Sequence, residues 1–279
     1  MRAFQTARGL VADGRCDQHT WIALVEATWK LGDRLLLLTA PNLRGDDVAD
    51  LQVRLARLGF DCGRIDGILG PNTARALEDF QANCGLAPDA VCGVETVRVL
   101  LRVGTQTGDG PGVSAVRERE RQRVGLGSLA QCRVVLGQFG GLSALTRTLS
   151  RELRLRGATV MSLDEPDGVA QALVANHFGA DVYLGFQSHP EASAVLQYYR
   201  VPSFESAGGR ALAEAIADEI ADLPGLHPTI SGMRLPVLRE TRMPAVIAVF
   251  GPVRAVGDLS PQIAQRVLHA VEVWASRAD

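Results

Sequence analysis

The chain repeats itself. Residues 2–24 and 78–100 share eight identities at a constant separation of 76 residues: Phe4-Gln5 with Phe80-Gln81, Gly9-Leu10 with Gly85-Leu86, and Asp13, Cys16, Thr20 and Leu24 with Asp89, Cys92, Thr96 and Leu100. A second echo lies 23 residues apart, where Asp66, Gly70 and Thr73 recur as Asp89, Gly93 and Thr96. Self-similarity of this kind marks one small supersecondary unit used more than once. It therefore confines the first third of the chain to a short motif that packs against its own copies.

The motif has a mechanical reading. Asp66-Gly67 supplies a turn in which glycine takes a positive φ, and Gly70 ends it. Pro71 suits a first helical turn, and the helix it opens presents Ala76, Leu77 and Phe80 on one side. A preceding helix over 47–58 carries Val48, Leu51, Leu55 and Leu58 on one face. Residues 46–102 thus read as a compact module of three short helices. Residues 1–27 read as the second half of another such module, beginning at its Phe-Gln helix. The first helix and turn of that copy have no counterpart, so a further N-terminal stretch is expected to complete it.

The string from Asp47 through Leu51-Gln52, Leu58-Gly59-Phe60, Ile65-Asp66-Gly67-Ile68-Leu69-Gly70-Pro71-Asn72-Thr73 and Phe80-Gln81 to Gly85-Leu86 resembles the peptidoglycan-binding module found beside many cell-wall hydrolases. The resemblance implies murein glycopeptide as ligand, in a shallow groove near the helix starts. It nominates Asp66, Gly67, Gly70, Thr73, Phe80 and Gln81 for that groove. Each also has a purely structural use: Phe80 as core, the glycines as turn formers, Thr73 as a bond within its own first turn.

Residues 103–130 change character. GTQTGDGPG over 104–112 reads as a flexible linker, and SAVRERERQR over 114–123 as a self-neutralising, solvated run with Thr105, Thr107 and Ser114 available for modification. Beyond it, strands are expected over 133–136, 158–163, 181–186, 194–199 and 245–250. Helices are expected over 142–155, 169–178, 210–223 and 260–275. Strands alternating with helices argue a layered α/β sheet. The fold class is thus α plus α/β: small three-helix modules followed by an α/β domain over 131–279.

Several strings of this second part are similar to the zinc-dependent N-acetylmuramoyl-L-alanine amidases: Val134-Val135-Leu136 with Gly140-Gly141, Arg156-Gly157-Ala158, Ala175-Asn176 with Ala180-Asp181, and Leu238-Arg239 with Met243-Pro244-Ala245-Val246. The resemblance implies a catalytic zinc on two His and one Glu, with another Glu as general base. The first His position falls on Phe139, the second on Gln187 and the base on Val249. No Asp or Glu occurs between Cys132 and Arg151, where the loop bearing the ligand Glu is expected. His189 and Glu191 are the nearest substitutes, and a catalytic zinc needs three protein ligands. His177, His227 and His269 have no ligand-spaced partners. No catalytic residue, metal site or cofactor is therefore expected.

Composition sets the outer limits. A net charge of −2 and a pI near 6.2 argue against a nucleic-acid binder. No apolar run approaches the ~20 residues of a membrane span, and residues 1–20 lack the layout of an export signal. Five cysteines without a CxxC pair read as small buried thiols of a reducing compartment. The arrangement resembles actinobacterial regulators of the CwlM type. That resemblance implies a cytoplasmic, non-catalytic regulator of wall synthesis that binds peptidoglycan or its precursors and contacts biosynthetic proteins such as the pathway's enolpyruvyl transferase. The alternatives are an active amidase and, if an export signal precedes the chain, an extracellular wall anchor.

Overall fold

The computed structural model describes residues 1–104, 128–202 and 204–276. The expected linker, with Thr105, Thr107 and Ser114, lies almost wholly outside these. Residues 1–104 fall in one compact unit and residues 128–201 with 205–276 in the other.

The first unit is helical. α1 (Arg2–Ala7) and α2 (Gln18–Glu26) form the N-terminal copy; α3 (Asp46–Arg57), α4 (Pro71–Asn83) and α5 (Val94–Gly104) form the expected three-helix module. α3 begins with Asp46 and Asp47 and ends with Arg54 and Arg57, each charge matching the nearer pole of the helix dipole. Its Val48, Leu51 and Leu55 are fully buried, as are Leu77 and Phe80 of α4 and Leu100 of α5, and α3 packs on both of those helices. Phe60 stands edge-on to Phe80, with ring centroids 5.6 Å apart. The copies are tied together by Arg8, which pairs with Asp46 at 2.7 Å. α2 leaves Trp21, Ile22 and Val25 exposed.

The second unit is a mixed sheet with helices on both faces. Its strands are β1 (Arg133–Gln138), β2 (Thr159–Asp164), β3 (Val182–Ser188), β4 (Ser193–Val201), β5 (Phe204–Glu205), β6 (Thr229–Met233) and β7 (Ala245–Gly251), in the order β2-β1-β3-β7-β4-β5, with β6 beside β4. β2, β1, β3 and β7 are parallel, and β4 runs antiparallel to β7. Central β7 is buried along its whole length, as a strand covered on both faces must be.

One face carries α6 (Ser143–Leu155), α8 (Ala207–Ile220) and α10 (Val253–Ser276). Their Leu145, Leu149, Leu212, Ile216, Ile263 and Val267 share a core with Leu136, Leu184 and Phe250. α7 (Gly168–Phe178) and α9 (Pro236–Glu240) pack on each other elsewhere in the unit. The strings that carry the amidase resemblance hold this frame. Asn176 donates to the Glu240 carbonyl at 2.8 Å and accepts from the Arg242 N–H at 2.9 Å, clamping α7 to the end of α9. Asp181 accepts from the Arg133 N–H at 2.8 Å and fixes the start of β1 against β3.

Two expectations are corrected. The last helix begins at Val253, not near residue 260, and runs through Pro261. The ring removes the bond to Gly257, whose exposed position tolerates the loss, and Ser260 Oγ donates to the Val256 carbonyl at 2.8 Å. Cys62, Cys92 and Cys132 are buried as expected, but Cys16 is exposed and Cys84 half-buried. Burial, then nearby Asp47, pushes the Cys92 thiol up to about 12; burial, then Asp181, pushes Cys132 up to about 11.

Candidate functional site

Each repeat is organised around one glutamine. In the α3–α4 copy, the Gln52 side-chain amide donates to Asp66 Oδ1 at 3.0 Å, the Ile68 carbonyl at 3.1 Å and Thr73 Oγ1 at 3.1 Å. Its Oε1 accepts from the Gly67 N–H at 2.8 Å. Gln81 does the same with Asp89, the Val91 carbonyl, Thr96 and the Ala90 N–H. Gln5 does so with Asp13, the Arg15 carbonyl, Thr20 and the Gly14 N–H. In every copy the aspartate also accepts from the backbone N–H two residues on, at 2.8–2.9 Å.

The sequence candidates take their places around these knots. Thr73 and Gln81 are buried within two of them, and Phe80 has no exposed surface. Gly67 is buried with φ +71°, and Gly70 caps the start of α4. Asp66 and Gly70 are the two of the six that remain half-buried rather than enclosed. The glutamine that anchors the first turn of this module, Gln52, was not among the expected residues. Its signal was a polar residue four positions after Val48, within the apolar face of α3.

The positions assigned to zinc chemistry converge. Gln187 of β3 is the register partner of Val249 of β7, and the Phe139 N–H donates to the Phe186 carbonyl at 2.9 Å just beyond β1. Alternation along β1, with Gly137 opposite Gly185 and Gly185 opposite Ile247, sets these three positions on one face at the C-terminal ends of adjacent strands. Phe139 is half-buried, Gln187 exposed and Val249 buried. Beneath them Tyr183 is fully buried and donates to Gln171 Oε1 at 2.7 Å, while Gln171 donates to the Gln138 carbonyl at 3.2 Å. Burial pushes the Tyr183 hydroxyl far above its ordinary range, so it stays protonated.

His189 does not turn this spot into a metal site. Its Nδ1 accepts from the Glu191 N–H at 3.2 Å and closes the turn after β3. His177 and His227 are exposed, and His269 lies between Glu219 and Glu272 on the far helices. Among the described residues no cluster of three His, Cys, Asp or Glu side chains could hold a metal ion, and no helix is long and apolar enough to cross a membrane. The residues present at 139, 187 and 249 do not fit a catalytic zinc.

The first unit and the sheet define a class: a peptidoglycan-binding module joined to an amidase-like α/β domain. Residues 44–100 match the peptidoglycan binding domain family. The chain is 33% identical to the N-acetylmuramoyl-L-alanine amidase CwlM of Mycobacterium tuberculosis over an alignment covering 88% of this chain and 68% of that protein. It belongs to the CwlM family of N-acetylmuramoyl-L-alanine amidase homologues. A 58-residue stretch is 41% identical to a spore cortex-lytic enzyme of Bacillus cereus, covering 21% of this chain and 22% of that one. The solved catalytic domain of the amidase CwlV from Paenibacillus polymyxa aligns with a TM-score of 0.43 at 18% identity, covering 51% of this chain and 97% of that one.

Proposed function

We propose that the chain is a non-catalytic regulator of cell-wall synthesis that binds peptidoglycan or its precursors and uses a degenerate amidase domain as scaffold. The observation that carries this reading is the convergence of Phe139, Gln187 and Val249. A phenyl ring, a neutral amide and an isopropyl group stand where two zinc ligands and a general base are required, and none can hold zinc tightly or take a proton at neutral pH. Glycopeptide binding is assigned to the α3–α5 module. Asp66 and Gly70 offer it surface, while Gly67, Thr73, Phe80 and Gln81 hold the frame behind them. The reading includes residence in the cytoplasm and contact with a wall-synthesis enzyme.

The competing reading, an active amidase, is favoured by the name of the Mycobacterium tuberculosis relative. One experiment separates them. The full chain is loaded with zinc, freed of loosely held metal and assayed for bound zinc and for release of stem peptide from murein. The expected result is well under one zinc per chain and no release. Stoichiometric zinc with turnover overturns the proposal. Co-sedimentation with murein sacculi, repeated with Asp66→Asn, which keeps the oxygen that accepts from Gln52 and the Ile68 N–H, tests the binding half separately.

A further inference from the structure

A groove of about 780 Å³ runs between α6 and the edge strand β2. It opens on the face of the sheet opposite Phe139 and Gln187, because Leu136 in its floor points towards the α6 core. Arg147, Arg151 and Arg154 line one wall, four and three residues apart on one face of α6. The hydroxyls of Ser150 and Ser162 stand 3.5 Å apart within it. Asp164 is the one acidic residue of the lining, which leaves two positive charges in excess.

This charge is poorly compensated. Like charges one helical turn apart repel. Arg151 pairs with its neighbour Glu152 at 2.8 Å, and Arg154 donates to a neutral acceptor, the Val160 carbonyl, at 2.9 Å. Arg147 is exposed and has neither a hydrogen bond nor an ion pair among the described residues. At the rim, Leu155 is 72% exposed and offers an apolar surface beside the guanidinium row.

We propose that this groove binds a small phosphate-bearing ligand of the diphosphate class. Guanidinium forks match phosphate oxygens in pairs, which point-charge recognition does not require. A walled groove concentrates the field of its charges, and its volume lies within the range of small-ligand sites. The phosphates sit along Arg147, Arg151 and Arg154 with the serine hydroxyls beneath them, and the uncharged part of the ligand lies against Leu155. The proposal is independent of whether the chain retains any zinc chemistry.

Isothermal titration of the full chain with inorganic pyrophosphate and with ADP tests it. The expected result is one saturable site, weakened by salt, whose affinity falls at least tenfold in Arg147→Glu. Arg98→Glu, at an exposed arginine of the other unit, makes the same change of charge and should leave the affinity within about twofold. Tighter binding of ADP than of pyrophosphate assigns a role to the Leu155 rim; equal binding assigns recognition to the phosphates alone, and either supports the site. Absence of saturable binding to both probes overturns the proposal, as does an Arg147→Glu loss no larger than that of Arg98→Glu. Should Arg147→Glu misfold by circular dichroism, Ser162→Glu on the opposite wall is judged by the same criterion.

Discussion

Gln52 donates to Thr73 Oγ1 at 3.1 Å across 21 residues of chain, and both side chains are buried. That bond joins the middle of α3 to the start of α4. Its counterparts, Gln81 to Thr96 and Gln5 to Thr20, each at 3.2 Å, show one knot built three times.

Gln52→Ala removes the knot and leaves the Asp66 and Gly67 N–H groups without their acceptor. A buried polar group left unpaired costs about 1–3 kcal/mol, so a loss of about 2–4 kcal/mol is expected. Gln52→Glu keeps the acceptor but cannot donate to the Ile68 carbonyl, and should recover only part of it. Urea denaturation followed by circular dichroism measures both.

Ala90 occupies the place that Gly14 and Gly67 hold in the other two knots, and it does so at φ +56°. A left-handed conformation strains an L residue by about 1–2 kcal/mol. Ala90→Gly relieves that strain at a smaller cost in unfolded-chain entropy. The substitution is expected to stabilise the first unit by up to about 1 kcal/mol, visible as a raised denaturation midpoint. A lowered midpoint would refute it.

Arg34 meets Asp47 through two bonds, at 2.7 and 3.1 Å, while stacking 4.5 Å above the Trp29 ring. Asp47 is 1% exposed. Arg34→Ala strands this carboxylate in the interior, at a cost of about 3 kcal/mol at the partly open arginine side. Arg34→Lys loses the two-point contact and the stacking, and should lie nearer to alanine than to the parent in thermal denaturation.

Asp13, Asp17 and Asp89 carry carboxyls held below their ordinary value of 3.8. The leading causes are the Arg15 N–H for Asp13, the Thr20 hydroxyl for Asp17 and the Val91 N–H for Asp89, with Gln5 and Gln81 adding to the first and last. A depressed folded-state value means that the stabilisation is complete above the unfolded value and is lost as pH falls through the folded one. The first unit should therefore weaken progressively below about pH 4. Asp89→Asn keeps the shape and removes one titration, so its midpoint should fall less steeply with acidification.

Gly137 lies under the Tyr183–Gln171 bond, and a Cβ there would overlap both Gln171 Oε1 and the Tyr183 hydroxyl. Gly137→Ala should cost about 1–3 kcal/mol by displacing them. Tyr183→Phe leaves Gln171 Oε1 without this donor and should cost about 1–2 kcal/mol without a clash. Thermal denaturation ranks the two.

Much of this was legible before folding. The constant 76-residue separation found two of the three knots, because Gln5 and Gln81 both stand eight residues before their aspartates. Gln52 stands 14 before Asp66, so a fixed-spacing search passes over it. Apolar runs announced β1 and β7. β6 was invisible because Thr229–Met233, none of them buried, holds by pairing with β4, not by its own pattern. α9 has five residues, too short for a period to show. The expected helix start near residue 260 falls at Pro261, a residue that interrupts most helices but lies inside this one.

The sequence by itself determined the repeats, the module they build, the alternation of strands and helices and the absence of His and Glu at three positions. Those are local properties of residue type and spacing. Only the tertiary structure decided that Phe139, Gln187 and Val249 belong to one place, because register between three strands brought them there. It also decided that Thr73 and Gln81 face inward, since burial depends on what folds over a side chain. The arginine row of α6 became the wall of a groove only when β2 was laid alongside it.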